Sequence, residues 1–364
     1  MGGESDTRRE FRASPTVVGL VALTLVGMFV LRLLSAAEMD PTVFVGFGEA
    51  APVITAHGEA MLGRDVPERP GLGHDGKWYL LQSFDPWLLA PDVHARLMPT
   101  PVYRSQRMLY PVIASLGGLV PVHGLAWSLL VTNVVAVGVG TAAIARIAVA
   151  HGRSAWWGLA FPINVGLLAE LANDGAGILA FALAAWGIVY YSEQRFAASA
   201  AWLAAAVLVR EVMLLTVIGL MVLRWLTHRQ IIWRLAAPSV GAAVAWAVYV
   251  RVRLDPFAGL DEEDAITWPL RGLFEAFPSW LTRPQDFAAA GVVLVLLIVF
   301  TARTLKTRHP VAWGTLGYVL VTLILTDLVW RRSFDITRAV APSITGFVML
   351  AFVVDRSATR SSPH

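Results

Sequence analysis

The chain has no cysteine and few charged residues. Asp, Glu, Lys and Arg make up 15% of its 364 residues, whereas a soluble domain contains about 25%. The absence of Cys excludes a disulfide framework, a thiolate metal site and a Cys nucleophile. With 56% hydrophobic residues and a mean hydropathy of +0.61, too little polar surface is left to cover a water-soluble particle. The composition therefore predicts a membrane protein.

Lysine is scarce as well, since only Lys77 and Lys306 are found among 29 basic residues and the others are Arg. This bias, with the abundance of Ala and Val, is typical of a GC-rich bacterial genome, so we expect a bacterial cell membrane as the location. The 14 Trp residues are enough to populate the aromatic belts at the two membrane interfaces.

Apolar runs of about 20 residues, the length that crosses a bilayer, recur along the chain. They cover 15–35, 122–149, 155–172, 175–192, 196–226, 235–251, 287–303, 310–330 and 338–354. The run 196–226 has two interpretations. It is either one helix of about 46 Å with Arg210 and Glu211 in mid-membrane, or a hairpin of two short spans that meet at this pair.

The distribution of Arg favours the hairpin. With two helices in 196–226, the cytoplasmic segments hold 14 of the 29 basic but only 5 of the 26 acidic residues, as the positive-inside rule requires. We therefore predict an all-α polytopic membrane protein, a single transmembrane domain over 1–364 with about ten transmembrane helices and both termini cytoplasmic. The first apolar stretch is longer than the core of a signal peptide, so we expect it to be retained as a helix.

Two long extracytoplasmic loops follow from this topology. Residues 37–107 form the first loop, which is rich in aromatic and charged residues and is expected to be ordered, and residues 252–286 form the second. The apolar stretch 105–120 is too short to span comfortably, so it predicts a helix that lies in or re-enters the outer interface. The sequence shows no internal repeat, which counts against transporters built from duplicated halves.

Ionisable residues cluster at the outer ends of the predicted spans, where such groups suggest function. Taken singly, each is an ordinary cap or turn residue; Asn173-Asp174-Gly175, for example, is also a good tight turn. Taken together, they predict an acidic and Arg-rich cavity. Guanidinium groups bind phosphate oxygens, and a carboxylate can act as general base toward a hydroxyl nucleophile.

The most informative motif runs from Gly73 to Tyr79, with the sequence GHDGKWY, and is followed by Tyr103 to Pro111, with the sequence YRSQRMLYP. It resembles the GT-C fold of polyprenyl-phosphate-sugar-dependent glycosyltransferases, and within it the PIG-V-like mannosyltransferase group. Asp75, Gly76, Tyr79 and Pro111 match that group's pattern. His74 departs from it, since the group tends to have Trp there, and so does the segment 103–107. The resemblance covers about residues 73–111 and the general topology.

The resemblance implies an inverting sugar transfer, with mannose as the expected sugar, from a polyprenyl-phosphate donor to a lipid- or glycan-linked hydroxyl at the outer face. Asp75 would be the general base, with Asp40, Glu49 and Glu38 in reserve because many GT-C families have the essential acid nearer the first helix. The remaining candidates are substrate ligands, mainly for the phosphate: Tyr79, Arg104, Arg107, Asp174, Arg210, Arg331, Arg332 and Arg338.

Other motifs have simpler interpretations. The GxGxxA match that starts at Gly138 lies inside a predicted span and lacks the strand–turn–helix context of a dinucleotide site, so it predicts close helix packing. No HExxH motif occurs, and His57, His74 and His94 in the first loop make only a weak case for a metal. The sequence predicts no cofactor and leaves a divalent cation open. The basic residues show no nucleic-acid pattern, and Asp261–Asp264 is expected to be a solvated loop segment.

Two other classes of function stay open at this point. A lipid or solute transporter could line its path with the outer charges, although alternating access calls for ionisable groups near the midplane and at both faces. A non-catalytic membrane subunit could present its outer loop to a partner. In that case, function would survive replacement of Asp75 but not truncation of the loop.

Overall fold

The structure, a computed structural model, describes residues 13–119, 124–257 and 267–354. It is mostly helical with almost no sheet, as the composition predicts. The predicted run Asp261–Asp264 and the basic residues near both ends of the chain lie outside the described residues. Within the described ranges the α-helices are α1 Pro15–Ala36, α2 Pro52–Leu62, α3 Gly76–Phe84, α4 Pro91–Leu97, α5 Pro101–Arg104, α6 Leu109–Ser115, α7 Gly124–Ala150, α8 Val165–Leu171, α9 Gly177–Ser192, α10 Phe196–Val209, α11 Leu214–His228, α12 Trp233–Leu254, α13 Arg271–Trp280, α14 Pro284–Lys306, α15 Pro310–Ile324, α16 Asp327–Trp330, α17 Ser333–Ala339 and α18 Ala341–Met349.

Shorter elements connect these helices. Two strands of two residues each, Phe47–Gly48 and Glu68–Arg69, pair in parallel. Turns of 3₁₀-helix and one π-helical turn make up the rest: Pro41–Phe44, Leu116–Leu119, Ala155–Ala160 and Glu211–Met213 are 3₁₀, and Leu350–Val354 is π.

Five helices of the described residues are long and apolar enough to cross a membrane: Pro15–Ala36, Gly124–Ala150, Glu211–His228, Trp233–Leu254 and Pro284–Lys306. A sixth span results if Ser333–Ala339 and Ala341–Val354, which meet at 62°, are counted as one. Four shorter apolar helices accompany them: Leu109–Leu119, Gly177–Ser192, Phe196–Val209 and Pro310–Ile324. The predicted membrane protein is therefore supported, whereas the count of ten spans is not confirmed.

The predicted span 155–172 is not one continuous helix. A 3₁₀ turn covers Ala155–Ala160, and α8 begins only after Asn164, whose side chain accepts a hydrogen bond from the Gly166 N–H over 3.0 Å. Pro162, just before it, has no backbone N–H to continue a helix. The Asn164 amide also donates to the Ala341 carbonyl over 2.7 Å. This capping residue therefore both breaks the predicted span and ties α8 to α18.

The run 196–226 is divided into two helices at the charged pair. Arg210 has extended backbone angles, with φ −155° and ψ 117°, and a 3₁₀ turn over Glu211–Met213 leads into α11. Arg210 and Glu211 thus stand at a break between helices, the position that the hairpin interpretation gives them.

The packed centre of the molecule combines α1, α7, α9 and α10, with α12 beside α10 and α15 against α11. Small residues bring α1 close to α7, since a Cβ on Gly19 would lie 2.7 Å from the Gly138 carbonyl oxygen. This contact agrees with the packing interpretation of the GxGxxA match, because close backbone approach is what small residues permit between apolar helices.

The first loop is ordered and packs onto the helix ends. The Arg69 guanidinium donates to the Asn173 side-chain oxygen over 2.7 Å, between α8 and α9. At the other end of the loop, Arg253 of α12 donates to the Leu88 carbonyl over 2.7 Å. The loop is thereby held against helix ends of the bundle, and this contact surface contains the candidate site.

Candidate functional site

Asp75 precedes α3 at a place where two backbone segments approach closely. Gly73 has φ +72°, in the left-handed region that favours glycine. A Cβ at Gly76 would lie 2.6 Å from the Val45 carbonyl oxygen and 2.7 Å from that of Asn173. Only glycine fits at position 76 without a shift of backbone. The glycine of the Asp-Gly pair is therefore required sterically, because the loop docks closely on the bundle at this position.

The Asp75 carboxylate forms an ion pair with two arginines from distant parts of the chain. Arg104 Nη1 donates to Oδ1 over 3.1 Å, and Arg338 Nη2 donates to Oδ2 over 3.3 Å. Each carboxylate oxygen is thus bound by a different guanidinium group. The side chain of Asp75 is still 31% exposed, so a small molecule can reach it.

Both arginines have a second anchor that does not involve Asp75. Arg104 Nε donates to the Pro99 carbonyl over 3.0 Å, and its guanidinium carbon lies 4.9 Å from the centroid of the Trp78 ring. Arg338 Nε donates to Glu170 Oε1 over 3.1 Å. The two guanidinium groups are therefore held in place from behind, with their Nη atoms directed at Asp75.

Glu170 is the central carboxylate of the cluster and was not among the predicted site residues. Its side chain is 2% exposed. Oε1 binds both Arg338 Nε and Arg210 Nη1, the latter over 3.2 Å, and Oε2 accepts from the Gly177 N–H over 3.1 Å. A Cβ on Gly175 would lie 1.8 Å from Oε2, so the glycine turn after α8 leaves room for this carboxylate. The sequence signal was present, because a single Glu inside an apolar run is costly in a membrane and suggests function.

A further arginine, Arg107, extends the cluster beside α3. Arg107 Nη1 donates to the Tyr79 hydroxyl over 2.8 Å and Nη2 to the Tyr103 hydroxyl over 2.8 Å, and Nε lies 3.7 Å from Glu211 Oε2. Tyr79 is 3% exposed, so its ring offers no open face to a sugar. The structure thus gives Tyr79 the role of holding Arg107.

The three reserve carboxylates lie outside this cluster. Glu38 is exposed and lies beside Asp40 and Arg64. Asp40 pairs with Arg64 and caps the 3₁₀ turn that follows, accepting from the Thr42 N–H over 2.9 Å and from its hydroxyl over 2.7 Å. Glu49 is exposed, and its described hydrogen bond is that of its backbone N–H to the Arg69 carbonyl. Asp40 therefore has a structural role within the loop, and none of the three carboxylates forms an ion pair with Arg104, Arg107, Arg210 or Arg338 in the described residues.

Three further predicted ligands also lie apart. Arg331 is exposed and pairs with Asp327 one turn before it, and Arg332 is exposed at the start of α17. Asp174 is completely buried with φ +44°, and in the described ranges it forms no ion pair with the cluster arginines. Of the predicted residues, the structure brings together Asp75, Tyr79, Arg104, Arg107, Arg210 and Arg338.

The arginines dominate the electrostatics at Asp75. Burial raises the pKa of this carboxyl, but the guanidinium groups of Arg338 and Arg104 lower it by more, so the net pKa lies well below the usual range. Burial also lowers the pKa of the neighbouring His74 to about 4, and Arg69 and Arg338 act in the same direction. At neutral pH, Asp75 is therefore a carboxylate beside an uncharged imidazole.

Four guanidinium groups and four carboxylates share this region, with Glu211 and Asp335 as the remaining acids; Asp335 Oδ1 lies 3.6 Å from Arg338 Nη1. Within the described ranges, no group of three or more His, Asp or Glu side chains is arranged to hold a metal ion. His94 instead lies 3.2 Å from Asp85. The cluster can bind an anion through guanidinium N–H groups and can offer a carboxylate to a hydroxyl.

Comparisons of this chain with protein-family models, curated proteins and solved structures found no match.

Proposed function

We propose that the chain is a membrane glycosyltransferase of the GT-C type, which moves a sugar, mannose by resemblance, from a polyprenyl-phosphate donor to a lipid- or glycan-linked hydroxyl. The observation that carries the proposal is the ion pairing of the partly buried Asp75 carboxylate with Arg104 and with Arg338, a residue 263 positions away. It joins a general base and phosphate-binding groups in one place. The GHDGKWY motif, which contains Asp75, supports the same assignment through its resemblance to the GT-C glycosyltransferases.

The transfer requires one proton movement and one exchange of bonds at the anomeric carbon. Asp75 accepts the proton of the acceptor hydroxyl while the oxygen attacks C1 of the sugar from the face opposite the phosphate. The C1–O bond to the phosphate breaks, and its electron pair leaves with the polyprenyl phosphate. The phosphate thereby gains one negative charge and Asp75 loses one, so the net charge among the arginines stays constant.

The arginines stabilise the charge that develops on the departing phosphate. Arg104 and Arg338 lie nearest to Asp75, and Arg210 is joined to them through Glu170. Guanidinium groups fixed before the reaction need no reorganisation when the leaving group becomes charged. Arg107, held by Tyr79, supplies a further positive charge beside α3.

The finer topology belongs to the same proposal. We place the site at the extracytoplasmic face of a bacterial cell membrane, with both termini cytoplasmic and about ten helical segments in the bilayer. Several of them are broken or short, as at Arg210 and before α8. Irregular backbone at membrane depth is tolerated where it lines a cavity or is buried in protein, which fits the positions of Arg210 and Glu170 beside such breaks.

The direct test is transfer of labelled mannose from a polyprenyl-phosphate donor in membranes that contain the chain. Asp75→Asn should reduce the rate by about 10²–10⁴-fold, the contribution of a positioned general base. Asp92→Asn is the matched control, because Asp92 lies in the same loop and pairs with the exposed Arg96; it should transfer at the wild-type rate. Undiminished transfer by Asp75→Asn at equal protein levels would remove Asp75 as the base, and wild-type membranes without transfer would overturn the reaction.

A further inference from the structure

The Asp75 carboxylate is bound as an external anion would be. Its two oxygens accept from two guanidinium groups over 3.1 and 3.3 Å, the arrangement in which arginines hold the oxygens of a phosphate. This arrangement leaves both oxygens engaged. In the proposed transfer, however, one of them has to accept a proton from a hydroxyl group.

The two arginines do not depend on Asp75 for their positions. Arg104 keeps its bond to the Pro99 carbonyl and its contact with Trp78, and Arg338 keeps its bond to Glu170. If the carboxylate turns away, the Nη atoms of both groups stay directed at the same point. The protein therefore has a preformed anion site whose occupant is its own side chain.

We propose that Asp75 holds the place of a phosphate group on Arg104 and Arg338, and that the phosphate of a prenyl-phosphate ligand, the diester of the donor or the monoester that leaves, displaces it on binding. This inference rests on the proposed function for the class of ligand. The consequence is an order of events: the donor phosphate takes over the arginines first, and Asp75 is then free to accept a proton. Each Asp75 oxygen accepts a charge-assisted hydrogen bond while the arginines hold it, which makes the carboxylate a weaker base, and displacement by the phosphate removes both bonds.

The competition predicts that removal of the carboxylate improves phosphate binding. Farnesyl phosphate and inorganic phosphate serve as probes, titrated into the purified full chain in detergent. Asp75→Asn should bind farnesyl phosphate at least about thirtyfold more tightly than wild type, because the ligand no longer has to break two charge-assisted hydrogen bonds. Asp75→Ser should give the same gain, since Ser is well suited to the first position of a helix.

A control separates competition from the general effect of removing a negative charge. Asp335→Asn also removes a carboxylate beside Arg338, but one that lies 3.6 Å away and on the far Nη atom; its gain should stay below about fivefold, the scale of a partly exposed ion pair. Adding Arg338→Gln to Asp75→Asn should cancel the gain. If the affinity rises for both probes, the site recognises the phosphate group alone. If it rises only for farnesyl phosphate, the site recognises the prenyl chain as well.

Two results would overturn the proposal: equal binding by wild type and both Asp75 variants, or equal gains for Asp335→Asn and Asp75→Asn. Neither depends on sugar transfer. If the tightening is found but wild-type membranes transfer no sugar, the anion site stands and the proposed reaction fails. If transfer is found without the tightening, the reaction stands and the displacement fails.

Discussion

The first loop carries two Asp residues bound to Arg, Asp40 near its start and Asp75 near its middle, but their Arg partners differ in their distance along the chain. Asp40 pairs with Arg64 and with Thr42, all within the loop. Asp75 pairs with Arg104 of the same loop and with Arg338, which α17 supplies from the other end of the chain. Asp40 therefore stabilises a local turn, whereas Asp75 joins the loop to the helical bundle.

This difference separates a carboxylate with a local structural role from one that belongs to a candidate site. A local pair such as Asp40–Arg64 is a common way to cap a short helix and fix a loop. It is costly to bring arginines from separate elements onto one partly buried carboxylate, because the like charges of the arginines have to be brought together in a poorly hydrated place. Such a cluster is a stronger indication of a site than a single ion pair.

The largest difference should appear when the arginine partners are replaced. Arg338→Gln should lower the proposed sugar transfer by about 10²–10³-fold, the usual cost of losing one group that stabilises a developing negative charge. Arg64→Gln, the equivalent change at the Asp40 pair, should lower it by less than about threefold, because a partly exposed pair contributes little. Transfer rates in membranes, normalised to protein level, check both values. If both variants lost the same fraction of the transfer rate, the Asp40 pair and the Asp75 pair would not differ in function.

A smaller effect, on stability, is expected for Glu170, the buried carboxylate of the cluster. Glu170→Gln should lower the free energy of unfolding by about 2 kcal/mol, less than the full loss of a buried partner, because the amide oxygen can still accept a hydrogen bond. Glu49→Gln is the matched control; Glu49 is exposed, and its replacement should change stability by less than about 0.5 kcal/mol. Thermal unfolding of the purified variants in detergent measures the difference. A stable Glu170→Gln would show that Arg210 and Arg338 hold their places without this carboxylate.

The sequence allows the helical class and half of the site to be predicted, for identifiable reasons. Apolar runs report α1, α7, α12 and α14 directly because these helices are long and uninterrupted. The break at Asn164 was missed because a single polar capping residue lowers the mean hydropathy of an apolar run too little to divide it. Asp75 and Arg104 were predicted from one motif, where both lie within 30 residues.

The remaining half depends on tertiary structure. Arg331, Arg332 and Arg338 are equivalent in the sequence, but helix geometry pairs Arg331 with Asp327 one turn away and turns Arg338 toward Asp75 and Glu170. Arg331 and Arg338 are seven residues apart, a spacing that would put both on one face of a continuous helix, but Arg331 ends α16 and Arg338 lies in the separate helix α17. The position of α17 therefore decides which of the three arginines joins the site. No local sequence pattern predicts that position.

The smallest effect is on the pH dependence of stability and concerns His74, the residue next to Asp75. Its pKa is lowered to about 4 in the folded protein by burial and by Arg69 and Arg338, against about 6.5 in an unfolded chain. Between these values the unfolded chain binds more protons, so stability is fully present above pH 6.5 and falls as the pH is lowered toward 4. His74→Gln should remove this part of the slope, raising the melting temperature relative to wild type by about 2 °C at pH 4.5. At pH 7.5 the imidazole is uncharged in both states, so the difference between the two proteins there gives the cost of the substitution itself. If the difference in melting temperature between His74→Gln and wild type is the same at both pH values, His74 has the same pKa in the folded and the unfolded chain. Burial and the two arginines would then not lower its pKa.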